Sequence, residues 1–208
     1  MGACASAELD FKDSGDAAAF ANDFILGESC GTGSTAQVYK AQAKNPRMTN
    51  DQKEIAVKVI NKADFDEAQQ KTILREATIL ACLSRRKKGK GLPGNNIIRC
   101  YAFYNQSPEK AYLVLDFIDG GDLFDRLSER KGVYVEWDAR ELAKNVLEAL
   151  VQLNRAGVAH RDLKMASLML RKGAADGEVV MMDFGMASVV KHPETEKMLT
   201  QCGTVRLT

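Results

Sequence analysis

The chain has 208 residues, 45% of them hydrophobic and 27% charged, with a formal net charge of +1. This is a soluble globular composition, long enough for one large domain or two small lobes. A charge so near neutrality argues against nucleic acid as a partner, since such binding rests on neutralising phosphates; no apolar run is long enough to span a membrane, and no signal peptide is visible.

The five cysteines (Cys4, Cys30, Cys82, Cys100 and Cys202) are odd in number, scattered and without C-x-x-C spacing, and the only histidines are His160 and His192. A zinc site is not expected, and a reducing, cytoplasmic compartment is.

Residues 1–23 are rich in Ala, Asp and Ser without sustained apolar periodicity, and they read as a flexible leader. Short strands follow at Phe24-Ile25-Leu26, Gln37 to Ala41 and Ile55 to Ile60, the last two joined by the polar segment Lys44 to Glu54. Asp64 to Leu83 predicts a helix with Ile73, Ala77, Leu80 and Ala81 on one apolar face. A basic, Gly-rich loop covers Ser84 to Gly94, and Ile97 to Tyr104 and Tyr112 to Phe117 return to strand patterns. Gly120-Gly121 breaks the chain before a second long helix, Trp137 to Ala156, carrying Leu142, Val146, Ala149, Leu150 and Leu153. Strands first and helices afterwards predict an α+β architecture of two lobes.

Several short strings carry chemistry. Gly31-Thr32-Gly33-Ser34-Thr35-Ala36-Gln37-Val38 approximates G-x-G-x-x-G-x-V, with Ala36 at the third glycine. Glycines let a backbone approach a polyphosphate and aim its N–H groups at the oxygens. By itself this is equally an ordinary hairpin, but a strand follows it rather than the helix of a dinucleotide fold, which favours a loop over ATP. Lys58, in Ile55-Ala56-Val57-Lys58, lies between apolar strand neighbours, and Glu76 on the following helix can hold its ammonium against phosphates. Tyr112 to Phe124 runs from a buried-type strand into a Gly pair, as an adenine pocket requires. His160-Arg161-Asp162 with Lys164 supplies a carboxylate to accept a hydroxyl proton and an ammonium to offset phosphoryl charge. Asp183, before Phe184-Gly185, is a ligand for Mg²⁺ bridging phosphates.

Taken together these strings resemble a eukaryotic-type protein kinase from about Phe24 to Thr204. The resemblance implies a kinase-like fold with an antiparallel-sheet N-lobe bearing one long helix (24–118) and an incomplete, mainly helical C-lobe (119–208). It implies an ATP- and Mg²⁺-dependent transfer of phosphate to protein serine or threonine hydroxyls, since Lys164 resembles the serine/threonine kinases. The look is nearest to calcium/calmodulin-type and calcium-dependent kinases. By the same resemblance Asp162 and Lys164 are catalytic, and Gly31, Gly33, Val38, Ala56, Lys58, Glu76, Asp116, Ile118 and Asp122 bind ATP. Asp183 and Ser167 are the metal ligands. Leu80, Tyr101, His160 and Phe184 belong to a stacked spine, Thr200 is an activation-loop phosphorylation site, and Arg161 receives its phosphate.

Three departures from the family pattern imply impaired turnover. Ser167 stands where the family has a metal-binding Asn, Met165-Ala166 where it has Pro-Glu, and Ala36 where it has Gly. The family continues beyond Thr204 into further helices, so an uncovered apolar surface and a regulatory partner are expected of this form. A nucleotide-binding pseudokinase or regulatory fragment without turnover is the alternative. Finally, Met1-Gly2-Ala3-Cys4-Ala5-Ser6 matches an N-myristoylation signal at Gly2 with Cys4 as a palmitoylation candidate, and Arg85 to Lys90 is basic; these direct an expectation of membrane association.

Overall fold

The computed structural model describes residues 15–33, 36–52, 54–63, 65–84, 96–131, 134–171, 178–190 and 203. They form two compact units, one within residues 15–84 and 99–117 and the other within 96–98 and 118–203.

In chain order the first unit contains α1 (Ala17–Asp23), β1 (Phe24–Thr32), β2 (Ala36–Ala43), β3 (Ile55–Asn61), α2 (Glu67–Ser84), β4 (Cys100–Tyr104) and β5 (Lys110–Asp116). The five strands make an antiparallel sheet in the order β1-β2-β3-β5-β4. Side chains alternate across a strand, so the register assigns residues to faces. Gly31, Val38, Lys58 and Leu113 lie opposite one another across four strands and share one face. Val57 and Val114, one step along, point to the other face and are fully buried.

α1 covers that other face. Asp16 caps it by accepting the Ala19 N–H at 2.9 Å. Phe20 packs nearly parallel to Tyr112 with ring centroids 4.2 Å apart, and meets Tyr104 edge-on at 5.5 Å. The Tyr104 hydroxyl donates to Asp23 at 2.6 Å. Burying a phenylalanine contributes about 1.5–3 kcal/mol, which is enough to hold a helix too short to persist alone. Residues 17–23 are therefore part of the folded unit, not of the flexible leader expected for 1–23. Seven residues with a single large apolar side chain show no periodicity to read.

α2 starts later than the expected Asp64 because Asp66 and Gln69 cap each other reciprocally: each side chain accepts the other's backbone N–H, at 2.8 and 2.9 Å. Ile73, Ala77, Leu80 and Ala81 are buried as the periodicity predicts, and Glu76 is buried with them. Ser84 ends the helix by donating to the Leu80 carbonyl and accepting the Cys100 N–H, both at 2.7 Å, which ties α2 to β4. Cys82 on α2 is disulfide-bonded, whereas Cys30 and Cys100 are thiols.

The second unit contains α3 (Leu123–Glu129), α4 (Glu136–Ala156), β6 (Val158–Ala159), β7 (Leu168–Leu170), β8 (Val179–Met181) and β9 (Ser188–Val189). β6 pairs with β9 and β7 with β8, both antiparallel. The strand expected from Ile97 begins only at Cys100. Ile97 instead bridges Met181, and Asn96 donates to the Val179 carbonyl at 3.1 Å. At the bend after β5, a Cβ on Gly120 would sit 2.2 Å from the Leu170 carbonyl oxygen, so only glycine fits there. α4 ends at Gly157 in the left-handed conformation (φ 69°), which turns the chain into β6. Leu142, Ala149 and Leu153 of α4 are buried, and Val146 and Leu150 half-buried. Trp137, Leu147 and Val151 are exposed along a groove of about 830 Å³. Among the described residues no helix is long and apolar enough to cross a membrane.

Candidate active site

The sheet unit presents a phosphate-binding arrangement on the Lys58 face. β1 and β2 close their hairpin with the Gly33 N–H donating to the Ala36 carbonyl at 2.8 Å, and Gly31 stands opposite Val38. The hairpin tip, Ser34-Thr35, lies outside the described residues. Val38 neighbours Lys58 in register, and Ala56, two residues before Lys58, lies on the same face. Lys58 Nζ reaches both carboxylate oxygens of Glu76, at 2.8 and 3.0 Å. The Glu76 side chain is only 9% exposed and that of Lys58 26%, so the pair is positioned by packing on both partners. At the end of β5, Asp116 accepts a hydrogen bond from the Tyr101 hydroxyl. Burial and that bond raise the Tyr101 pKa.

The second unit builds a proton-transfer and metal arrangement from two short ladders. β7 and β8 are a hairpin whose ends continue into Ser167 and Met182, joined by the Met182 N–H donating to the Ser167 carbonyl at 2.8 Å. Pairing of β6 with β9 brackets the same two segments from the other side. His160 is buried against Phe184, ring centroids 4.9 Å apart, and bonds through Nε2 to the Met182 carbonyl at 2.8 Å. A carbonyl only accepts, so Nε2 carries the proton, and Nδ1 accepts the Asp162 N–H at 3.4 Å. His160 thus acts as a spacer between the Asp162 loop and the Asp183 turn. Arg161 and Asp183 both adopt positive φ, 68° and 59°, a conformation non-glycine residues hold only where surroundings enforce it. Arg161 Nε donates to the Met186 carbonyl at 2.6 Å, which fixes the Phe184–Met186 turn.

Asp162 Oδ2 and Lys164 Nζ are 2.7 Å apart. That hydrogen bond, opposed by partial burial, raises the Lys164 pKa, with the charges of Asp162 and Asp183 adding to the effect. Asp183 is exposed, and among the described residues its carboxylate has no hydrogen bond or ion pair. A free carboxylate is what Mg²⁺ uses when phosphates and water complete its shell. Asp183 therefore fits a nucleotide-borne Mg²⁺.

Ser167, the other expected metal ligand, sits in a different setting. It is 1% exposed. Its hydroxyl donates to the Lys164 carbonyl at 2.8 Å, reaches the Asp162 carbonyl at 3.4 Å, and accepts the Lys164 N–H at 3.1 Å. The hydroxyl is committed to holding its own loop. Asp122 also has a structural duty beside the expected ATP-binding role, since it caps α3 by accepting the Asp125 N–H at 2.8 Å. Ile118 is buried in this second unit. Gly2, Cys4 and Thr200 lie outside the described residues. Two positions that sequence reasoning left out are Met182 and Met186, which act through backbone carbonyls and so carry no side-chain signal.

The sequence matches a family model described as protein kinase domain over residues 24–207. It is 36% identical over 183 residues to calcium/calmodulin-dependent protein kinase type IV of Mus musculus, covering 88% of this chain and 34% of that protein. To calcium/calmodulin-dependent protein kinase type 1 of Macrobrachium nipponense it is 32% identical over 193 residues, covering 93% and 50%. To myosin light chain kinase A of Dictyostelium discoideum it is 34% identical over 177 residues, covering 85% and 54%. The chain thus spans between a third and about half the length of these relatives.

Proposed function

Because the chain belongs to the protein kinase family, we propose that it transfers the γ-phosphoryl group of ATP to serine or threonine hydroxyls of a protein substrate. The observation that carries this reading is the Asp162–Lys164 pair at 2.7 Å on a loop hydrogen-bonded to the segment bearing the free Asp183 carboxylate. Asp162 accepts the proton of the attacking hydroxyl. Lys164 offsets charge on the phosphoryl group in flight. In the sheet unit, Glu76 holds the Lys58 ammonium, which would contact nucleotide phosphates, and the Gly31–Gly33 backbone would offer them N–H groups. Mg²⁺, when bound at Asp183, neutralises phosphate charge. Turnover is weak: Ser167 is not available as a ligand, and Met165-Ala166 withholds a carboxylate from basic substrate residues.

The sealed Ser167 hydroxyl favours a second reading, a nucleotide-binding pseudokinase. A thermal-shift titration of the chain with ATP and Mg²⁺ tests what both readings share. At a hundredfold excess over Kd, binding adds about 2.7 kcal/mol, and for a chain of this size that raises the midpoint by roughly 5–10 °C. An unmoved transition at millimolar nucleotide removes both readings.

The N-terminal signal supports myristoylation of Gly2 with palmitoylation of Cys4, which would place the protein at a membrane surface. One acyl chain anchors only marginally, and two anchor stably. In cells fed a myristate analogue the native chain is expected to incorporate label and Gly2→Ala to lose it; equal labelling contradicts the assignment.

A further inference from the structure

We infer that this chain holds its nucleotide with one divalent cation, at Asp183, and that Ser167 is the reason it takes no second. The inference rests on the kinase reading above and concerns how its metal site is populated. A serine hydroxyl has one proton and two lone pairs. The Ser167 proton goes to the Lys164 carbonyl at 2.8 Å, with the Asp162 carbonyl as a more distant alternative at 3.4 Å. One lone pair takes the Lys164 N–H at 3.1 Å, and the other is enclosed, Ser167 being 1% exposed. To coordinate Mg²⁺ at the short, near-octahedral distance it demands, the oxygen would have to move out of this loop. Leaving it would break the hydrogen bonds to the Lys164 N–H and carbonyl around a side chain that is 1% exposed, and losing bonds made in a buried place is costly.

Length adds to the obstacle. The serine oxygen stands one bond from Cβ, whereas an asparagine carbonyl oxygen stands two bonds away and has a separate amide nitrogen with which to bond the loop. Asparagine can therefore hold the loop and present an oxygen outward at once; serine here does only the first. Asp183 is not restricted in this way. Its carboxylate is exposed, and it projects from a turn fixed by the His160 bond to Met182 and the Arg161 bond to Met186. One site is ready and the other is sealed.

The test counts Mn²⁺ by the loss of its free electron-spin-resonance signal, with the nonhydrolysable analogue AMP-PNP at saturation, and measures nucleotide bound in the same samples. The native chain is expected to bind one Mn²⁺ per nucleotide, Ser167→Asn two, and Ser167→Ala one. The Ser167→Ala value keeps the inference testable should the asparagine variant fold poorly. Two Mn²⁺ in the native chain, or a count that falls in Ser167→Ala, overturns it. One in Ser167→Asn also overturns it, because Ser167 is then not what excludes the second ion. Failure of AMP-PNP to bind to any form, with or without Mn²⁺, overturns the kinase reading and the inference with it. A native count of two with normal AMP-PNP binding removes the inference alone.

Discussion

Asp162→Asn is expected to lower phosphoryl transfer to a generic Ser/Thr peptide by about 10²–10⁴-fold, while nucleotide affinity stays within a few-fold of native. The substitution keeps shape and volume and removes only the group that accepts the hydroxyl proton. The amide also lacks the negative charge that faces Lys164 at 2.7 Å, so the interaction that raises the lysine's pKa most is weakened. The stability cost is small. The Lys164 side chain is 37% exposed, and ion pairs reaching that far into water contribute about 0–1 kcal/mol. The thermal midpoint should therefore shift by no more than a few degrees. Initial rates with labelled ATP, beside a fluorescent-nucleotide titration, separate these quantities. Equal rates in the two forms would mean that Asp162 is not the base.

How far this arrangement could be read in advance depended on where the information lies. Lys58 and Glu76 were legible because each sits in a periodic element: a lysine between strand hydrophobics, and a glutamate on a helix whose apolar stripe sets its facing. Asp162 and Asp183 were legible because their neighbours in sequence are also their neighbours in the site. The duty of Ser167 was not. Its partners are backbone groups at Lys164 and Asp162, brought within reach by the turn of the loop, and side-chain spelling says nothing of them. Asp122 illustrates the same gap. Asp122, directly before the apolar pair Leu123-Phe124, is placed as a helix start, a duty that the preceding strand and glycines do not signal. α1 and α3, at seven residues each, are shorter than the window over which helical periodicity becomes visible. Both are held by tertiary or capping contacts rather than by propensity.

The largest effect on stability is expected from unpairing the buried carboxylate. Lys58→Met leaves Glu76 with its side chain 9% exposed and without its cation. Breaking a buried pair from one side is severe; because Lys58 is itself 26% exposed, about 2–4 kcal/mol is expected rather than the full cost of a sealed pair. Lys58→Met combined with Glu76→Leu removes both charges and fills the space with apolar groups, as is often neutral for buried ion pairs. Most of the lost stability should then return, and urea midpoints of the native, single and double forms measure it as a non-additive cycle. Nucleotide binding should behave differently. The phosphates need the ammonium itself, so the rise in thermal midpoint with ATP and Mg²⁺ is expected to be small in both variants, including the one whose stability has recovered. A double variant that regained stability and still responded fully to nucleotide would assign the pair to architecture alone. Recovered stability without recovered response places the phosphate contact on Lys58 and leaves Glu76 the task of holding it there.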